Sequence, residues 1–419
     1  MTIDDADLVR LALAYPTPLY VYDVRDVVRA IDTLTALLPG GSALYYSVKA
    51  NPHPDLVRLV YASGLALEVS SIGEVRIAES LSATADAMFT GPGKSRAEFD
   101  EAIARGVRKF SVESVADRIR LGQAAAEAGT LVEYLVRVNS PARGSAGLRM
   151  SGRPSQFGVD PSGIGEFSAL LTGDLHSTFR GLHFYPATQI ADEADLLESF
   201  ANSAREARRL IDRHQLEVRE VDLGGGFAAA FGVPGEYEAY PRLRERLEQM
   251  LDEWLPGWRD RRPAISFESG RRVVGTSGTL LSTVRDVKRS HGSTFAVLDT
   301  GVHHLGGMSG LGRVLAARLE PRRIGSTSDG RSQQAAPFNG TLAGPLCTPA
   351  DILVSNVSFE SLCVGDVLAI PNVGAYGLTA SLLAFLSHPI PIELVVEGTT
   401  VTSASHYVMT RRPLPGVAS

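Results

Sequence analysis

ALYYSVKANPHPDLVRLVYASGLALEVS, residues 43–70, holds one complete strand–helix–strand unit. The run 43–48 (ALYYSV) is apolar and suits a strand. Residues 54–63 then place apolar side chains at helical spacing, and 65–70 (LALEVS) is a second short apolar run. Working outward, the same alternation recurs. Further strands are expected at 86–90, 108–112, 132–138, 179–184, 218–223 and 264–268. Amphipathic or Ala-rich helices are expected at 73–82, 95–105, 114–128, 192–214 and 236–254. Eight strands alternating with helices predict an α/β fold, a (β/α)8 TIM-like barrel, with an open doubly wound sheet as the alternative.

From about 270 the texture changes. Valine, threonine and glycine rise, and strands are expected at 271–288, 295–299, 366–370 and 391–403 with no long helix between them. A mostly β second domain follows, of sandwich or barrel-like type. TPLYVYD (17–23) has strand character and is expected to join it. The domains are therefore read as 24–262 for the barrel and 1–23 with 263–419 for the β domain. The polar stretch 321–336 reads as a long exposed loop or hairpin tip.

Composition narrows the function classes. The 419 residues are 44% hydrophobic and 21% charged, with a net charge of -6. That balance is ordinary for a soluble globular protein and speaks against nucleic acid or an anionic membrane as the main partner. No apolar run is long enough to span a bilayer, and the N-terminus lacks a signal-peptide layout, so a cytoplasmic location is expected. Cys347 and Cys363 are the two cysteines, too few to suggest a disulfide framework. No metal site is expected.

Chemistry in such a barrel sits at the carboxyl ends of the strands. Lys49 stands there after the first strand, Tyr185 and Thr188 after the sixth, Gly224-Gly225-Gly226 after the seventh, and Glu268 and Arg271 after the eighth. Each has a plainer reading: a solvated lysine, a flexible glycine turn, a structural ion pair, a core hydrogen bond for His183. Together on one face they point to a site. Glycines expose backbone N–H groups that can cradle a phosphate, and a lysine closing an apolar strand is unusual unless it works.

The sequence resembles the fold-type III pyridoxal-phosphate (PLP) decarboxylases, the group that contains the diaminopimelate, ornithine and arginine enzymes. YYSVKANP (45–52), VSSIGE (69–74), FTGPGKS (89–95), QFGV (156–159), GLHFYPATQ (181–189), VDLGGGF (221–227), FESGR (267–271), GPLCTPAD (344–351) and NVGAYG (372–377) carry the resemblance. It implies pyridoxal 5'-phosphate as cofactor, held covalently by Lys49. Gly224, Gly225, Gly226, Thr188, Arg271 and Tyr376 would hold the phosphate, Tyr185 would stack on the ring, and Glu268 would meet the pyridine nitrogen. Cys347 would return a proton after carbon dioxide leaves, serving the partner subunit of a homodimer. A carboxylate at the ring nitrogen favours the pyridinium and a strong electron sink. The similar alanine racemases have an arginine there, so Glu268 favours decarboxylation.

The departures concern the substrate. A ring-stacking histidine of the better-known members falls at Tyr185. Ornithine-type enzymes have an acid directly after the cysteine and diaminopimelate enzymes a Cys-Glu-Ser-Gly-Asp run. Here Thr348-Pro349-Ala350 follows Cys347, and GVHHLGGMSG (301–310) lacks the arginine of the diaminopimelate enzymes. Thr348, His183 and His303 are expected on the substrate's side, with His304 and the 321–336 loop at the mouth. The Cys-Thr-Pro segment is similar to that of enzymes acting on conjugated substrates in secondary metabolism, such as an acyl-carrier-protein-bound glutamyl group or a siderophore precursor. The expected activity is α-decarboxylation of a carrier-bound or conjugated amino acid. The alternatives are a free ornithine, lysine or diaminopimelate substrate, and a catalytically silent PLP-binding homologue.

Overall fold

The computed structural model describes residues 3–140, 148–149, 154–237, 239–305, 318–327 and 336–412. The chain divides into two compact units, one of residues 27–229 and 236–274, the other of residues 1–26, 230–235 and 275–419.

The first unit is a closed barrel of eight parallel strands. They are Ala43–Ser47, Ala66–Val69, Ala87–Phe89, Lys109–Val112, Val132–Arg137, Ser177–His183, Glu220–Asp222 and Ala264–Ser269. The last pairs with the first, Glu268 opposite Tyr45, so the open-sheet alternative is excluded. Each expected strand is present with ends shifted by one or two residues. Helix starts are set by short polar caps. Ser71, Ser95 and Ser114 each accept a backbone N–H at the head of Ile72–Ser80, Arg96–Ala104 and Val115–Glu127. Ser95 and Glu98 complete a capping box. The barrel interior is layered. Lys109, at the start of its strand, meets Glu220 at 2.7 Å, and Arg180 meets Glu133 at 2.6 Å, closing the amino-terminal end. Tyr45, Met88 and Leu135 form an apolar layer. The opposite end is polar again, and that end carries the site.

The second unit is a nine-stranded sheet assembly. Leu19–Asp23 lies inside it, antiparallel to Gly278–Ser290 and parallel to Ile392–Glu397. Its register puts Leu19 and Val21 with Leu281, Leu394 and Val396 in one apolar core. The N-terminal strand thus belongs to the β unit, as its composition suggests. Among the described residues no helix is long and apolar enough to cross a membrane.

Several expectations need correction. The domain boundary at 262/263 falls before a barrel strand: Ala264–Ser269 closes the barrel, and the unit continues to residue 274. Residues 271–288 are not one strand, since Arg271–Val274 turns helically and the strand starts at Gly278. The stretch 321–336 is not simply a loop. Arg322–Ser326 pairs with Asp366–Ile370, and Arg323 grips the buried Asp366 at 2.7 and 2.9 Å; residues 328–335 lie outside the described residues. The helices Asp5–Ala14 and Ile164–Leu170 and the strands Phe338–Ala343 and Ile352–Phe359 were not anticipated.

Barrel closure depends on Gly181, which sits opposite Glu220 in the neighbouring strand. A Cβ there would strike the Glu220 carbonyl oxygen and lie 2.8 Å from its carbon. A strand glycine of this kind marks close backbone approach. Gly181→Ala is expected to lower stability by about 1–3 kcal/mol, the usual cost of overpacking. Urea unfolding of the two proteins measures it, and an unchanged midpoint would mean that the strands yield freely.

Candidate active site

The carboxyl ends of the barrel strands gather ionisable groups in a pair and a trio. Lys49 lies in the one-turn helix Val48–Ala50 that ends the first strand. Its Nζ reaches Glu68 Oε2 at 2.7 Å and Oε1 at 2.9 Å. Glu68, on the second strand, is fully buried and also accepts from Ser70 at 3.0 Å and from Thr90. Burial alone would raise its pKa, but the Lys49 charge and hydrogen bond prevail and hold it down to about 2. Lys49 is therefore a lysine whose amine is fixed in place by a buried counter-ion while part of its stem stays open to solvent.

Across the mouth stand His183, Asp222 and Glu268, with donor atoms all within 4.8 Å of one another. All three are buried. His183 Nδ1 meets Ser111 Oγ at 2.7 Å. Its Nε2 lies 3.0 Å from Glu268 Oε1, yet neither atom is placed for a hydrogen bond, and neither has another such partner among the described residues. Burial lowers His183 to about 4, so the imidazole is neutral at pH 7 and cannot serve as a counter-charge. Burial raises Glu268 to about 8, with Glu68 adding to the rise. Burial and then Glu268 raise Asp222 to about 7. Two acids crowded in a buried site, with no cation in contact among the described residues, are pushed above the ordinary carboxylate range.

The glycine loop forms the floor between them. Gly224 N donates to Asp222 Oδ1 at 2.8 Å, and Glu268 N donates to Gly224 O at 2.9 Å. A Cβ at Gly224 would strike the Phe184 carbonyl oxygen, and one at Gly225 would lie 2.5 Å from the Glu268 carbonyl oxygen. Only bare backbone fits there. Tyr185 follows the sixth strand, half-buried, with Arg137 5.9 Å from its ring centroid. Arg137 is itself anchored by Glu113 at 3.1 Å. Thr188 lies in the short strand Ala187–Thr188, and Arg271 opens the turn after the eighth strand.

These features fit pyridoxal phosphate. The cofactor's ring nitrogen can carry the cation that Glu268 lacks, and its phosphate suits bare backbone N–H groups beside a threonine and an arginine.

Sequence reasoning missed Glu68, Asp222, Ser111, Thr90 and Arg137 at this mouth. The signal was available for two of them. Glu68 in LALEVS and Asp222 in VDLGGG are acids near the carboxyl end of apolar strands, the same anomaly that marked Lys49.

Cys347, Thr348, His303 and Tyr376 lie in the β unit. Cys347 is exposed in a turn. Asp351 ties that turn to the His303 turn: its carboxylate accepts from Leu346 N and Val302 N, each at 2.8 Å. Gly301 is required beside it, because a Cβ there would lie 2.5 Å from the carboxylate. Tyr376 adopts φ 53, a strained choice for a bulky residue. Residues 306–310 of the neutral segment lie outside the described residues.

A lysine, an unpaired buried acid and a glycine floor at the mouth of this barrel define a class. Residues 24–275 match the family described as pyridoxal-dependent decarboxylase, pyridoxal binding domain, and the chain belongs to that family. It is a PLP-dependent amino-acid decarboxylase. The chain is 30% identical over 402 residues to the L-glutamyl-[BtrI acyl-carrier protein] decarboxylase of Niallia circulans, covering 94% of this chain and 92% of that one. It is 26% identical to the 2-[(L-alanin-3-ylcarbamoyl)methyl]-2-hydroxybutanedioate decarboxylase of Staphylococcus aureus, covering 91% and 94%. It is 27% identical to the diaminopimelate decarboxylase of Bacteroides thetaiotaomicron, covering 86% and 91%. The fold matches the crystal structure of diaminopimelate decarboxylase from m. jannaschi with a TM-score of 0.79 at 22% identity, covering 94% and 90%.

The protonated acids make stability depend on pH. The ordinary glutamate value is 4.5 and Glu268 stands near 8. Across that window the folded apoprotein keeps a proton that the unfolded chain has released, so stability falls as pH rises. Apoprotein Glu268→Gln is expected to unfold at higher urea than wild type at about pH 8, with the gap closing by about pH 4.5. A wild type more stable than the variant at the higher pH would reveal a cation already paired with Glu268.

Proposed function

We propose that this enzyme removes the α-carboxyl group of an amino acid whose far end is held in a neutral linkage, as a glutamyl group is in a carrier thioester. The observation that carries this is the state of Asp351. It is the one acid in the 344–351 segment, and it is buried with its oxygens engaged by Leu346 N and Val302 N. No carboxylate there is left to grip a distal amine. A site built for a distal charge rejects substrates that lack it, and the converse holds for a neutral site. The relative from Niallia circulans, named for a carrier-bound glutamyl substrate, supports the same reading.

The roles follow from the residues. Lys49 is proposed to hold the cofactor covalently and, with Glu68 beside it, to keep a defined place for its amine after release. Thr188, Arg271, Tyr376 and the Gly224–Gly226 backbone would hold the phosphate, and Tyr185 would cover the ring. Pyridoxal phosphate supplies an electron sink for the pair left at Cα when the bond to the carboxyl carbon breaks. Glu268 keeps the ring nitrogen protonated by its charge. Asp222, on the neighbouring strand two register positions from Glu268, is pushed up by burial and by Glu268, so that it competes less for the same cation. The broken bond releases carbon dioxide, and Cα takes a proton from the Cys347 thiol, which solvent then restores. Cys347 of one subunit completes the site of the other in a homodimer.

The test is carbon dioxide release from free glutamate, ornithine, lysine and diaminopimelate beside glutamyl thioesters and glutamyl-loaded carrier protein. The conjugates are expected to exceed every free amino acid in kcat/KM by at least about 100-fold, the discrimination that a mismatched polar group commonly gives. A free diamino acid turned over in the ordinary range of about 10^4–10^8 M⁻¹s⁻¹, with conjugates inert, would overturn the reading.

A further inference from the structure

The β unit carries a groove that the reaction described above does not use. It encloses about 620 Å³ between residues 384–390 and the 406–411 segment that follows the last strand. This is the size of a ligand site. Its walls are apolar and open to solvent: Val408 is 71% exposed and Met409 54%, while Phe385 and Leu386 lie exposed in the turn that also contributes Ser387. Large apolar side chains clustered at a surface mark an interaction site.

The fixed charge that lines the groove is positive. His388, His406 and Arg411 line it, no acid does, and Arg412 follows directly. Both arginines are exposed and form no ion pair among the described residues. The whole chain, by contrast, has a net charge of -6. A basic apolar patch on an acidic protein is complementary to an acidic partner. It is a poor surface for self-association about a two-fold axis through it, because cation would face cation.

The groove also reaches towards the Cys347 turn within the same unit. The His388 ring centroid lies 5.1 Å from that of His303, and His303 sits on the turn that Asp351 ties to Leu346. His303 is 1% exposed, and neither ring nitrogen has a hydrogen-bond partner among the described residues. Burial lowers it to about 4, so it is neutral at pH 7. A neutral imidazole with both nitrogens idle suits an amide or thioester carbonyl rather than a carboxylate.

We propose that this groove docks the acidic carrier protein that presents the substrate, with Arg411 and Arg412 meeting its acidic surface and the phosphate at the root of its arm. The arm, neutral and amide-linked, lies along Val408, Met409 and His388. His303 receives its carbonyl end. This rests on the reading that the substrate is carrier-bound.

The experiment uses the PLP-loaded enzyme, wild type and Arg411→Glu/Arg412→Glu, with two substrates. One is a glutamyl-loaded acyl carrier protein; the other is S-glutamyl-N-acetylcysteamine, which has the thioester but neither carrier nor phosphate. The charge reversal is expected to raise KM for the loaded carrier by about 10-fold or more, weaken its salt dependence and leave the short thioester unchanged, since rim charges act on encounter. An unchanged KM for the carrier, with wild type active on it, overturns the groove and leaves the substrate reading standing. A wild type active on the short thioester or a free amino acid but inert towards the carrier overturns the carrier reading and the groove with it. Light scattering on Val408→Asp decides the other occupant. An intact dimer agrees with the proposal, and a monomer means that a second copy covers the groove.

Discussion

Glu268 is a carboxyl group buried at the mouth of a barrel beside a second buried carboxyl, Asp222, and a histidine too desolvated to carry charge. Burying an acid without a cation costs several kcal/mol, and the group escapes by keeping its proton. Glu268 stands where the eighth strand meets the first. A ring nitrogen that can be protonated converts the liability into a charge pair in a dry environment, where such a pair acts most strongly. The arrangement of the other groups follows from that. Lys49 has its own carboxylate in Glu68, so its charge is not spent on Glu268. The Gly224–Gly226 loop runs between Asp222 and Glu268 with no side chain to fill the space.

The β unit shows a complementary economy of charge. Its acid near Cys347 is turned inward to hold two loops together, and burial keeps His303 and His304 neutral at pH 7. The barrel therefore supplies charge for the reaction, while the β unit offers neutral groups and, at one groove, an exposed basic rim. Such a division is what the substrate class proposed above would require.

Much of this was legible in the sequence because the barrel repeats a local rule. The strands are short and apolar and several are followed by a serine or aspartate cap, at Ser71, Ser95, Ser114 and Asp192, so eight strands could be placed to within a residue or two. Lys49, Gly224–Gly226 and Glu268 stood out because polar or glycine residues interrupt apolar runs at strand ends. What stayed hidden depends on long-range pairing. Arg322–Ser326 is a strand because it pairs with Asp366–Ile370, with Arg323 meeting Asp366 across 43 positions, while polar composition there reads as a loop. Residues 230–235 belong to the β unit because Asn372 binds Val233 O and Gly235 O at 2.8 and 3.0 Å, which no local pattern announces. Nothing in the sequence of the 344–351 segment announces that Asp351 is taken up by the backbone N–H groups of Leu346 and Val302.

The account stands on Glu268 as the partner of a protonated ring nitrogen, and nitrogen NMR observes that proton directly. Enzyme loaded with ¹⁵N-labelled pyridoxal phosphate is predicted to show a pyridinium nitrogen at about pH 8 in the wild type and an unprotonated one in Glu268→Gln. An unprotonated ring nitrogen in the wild type would contradict it.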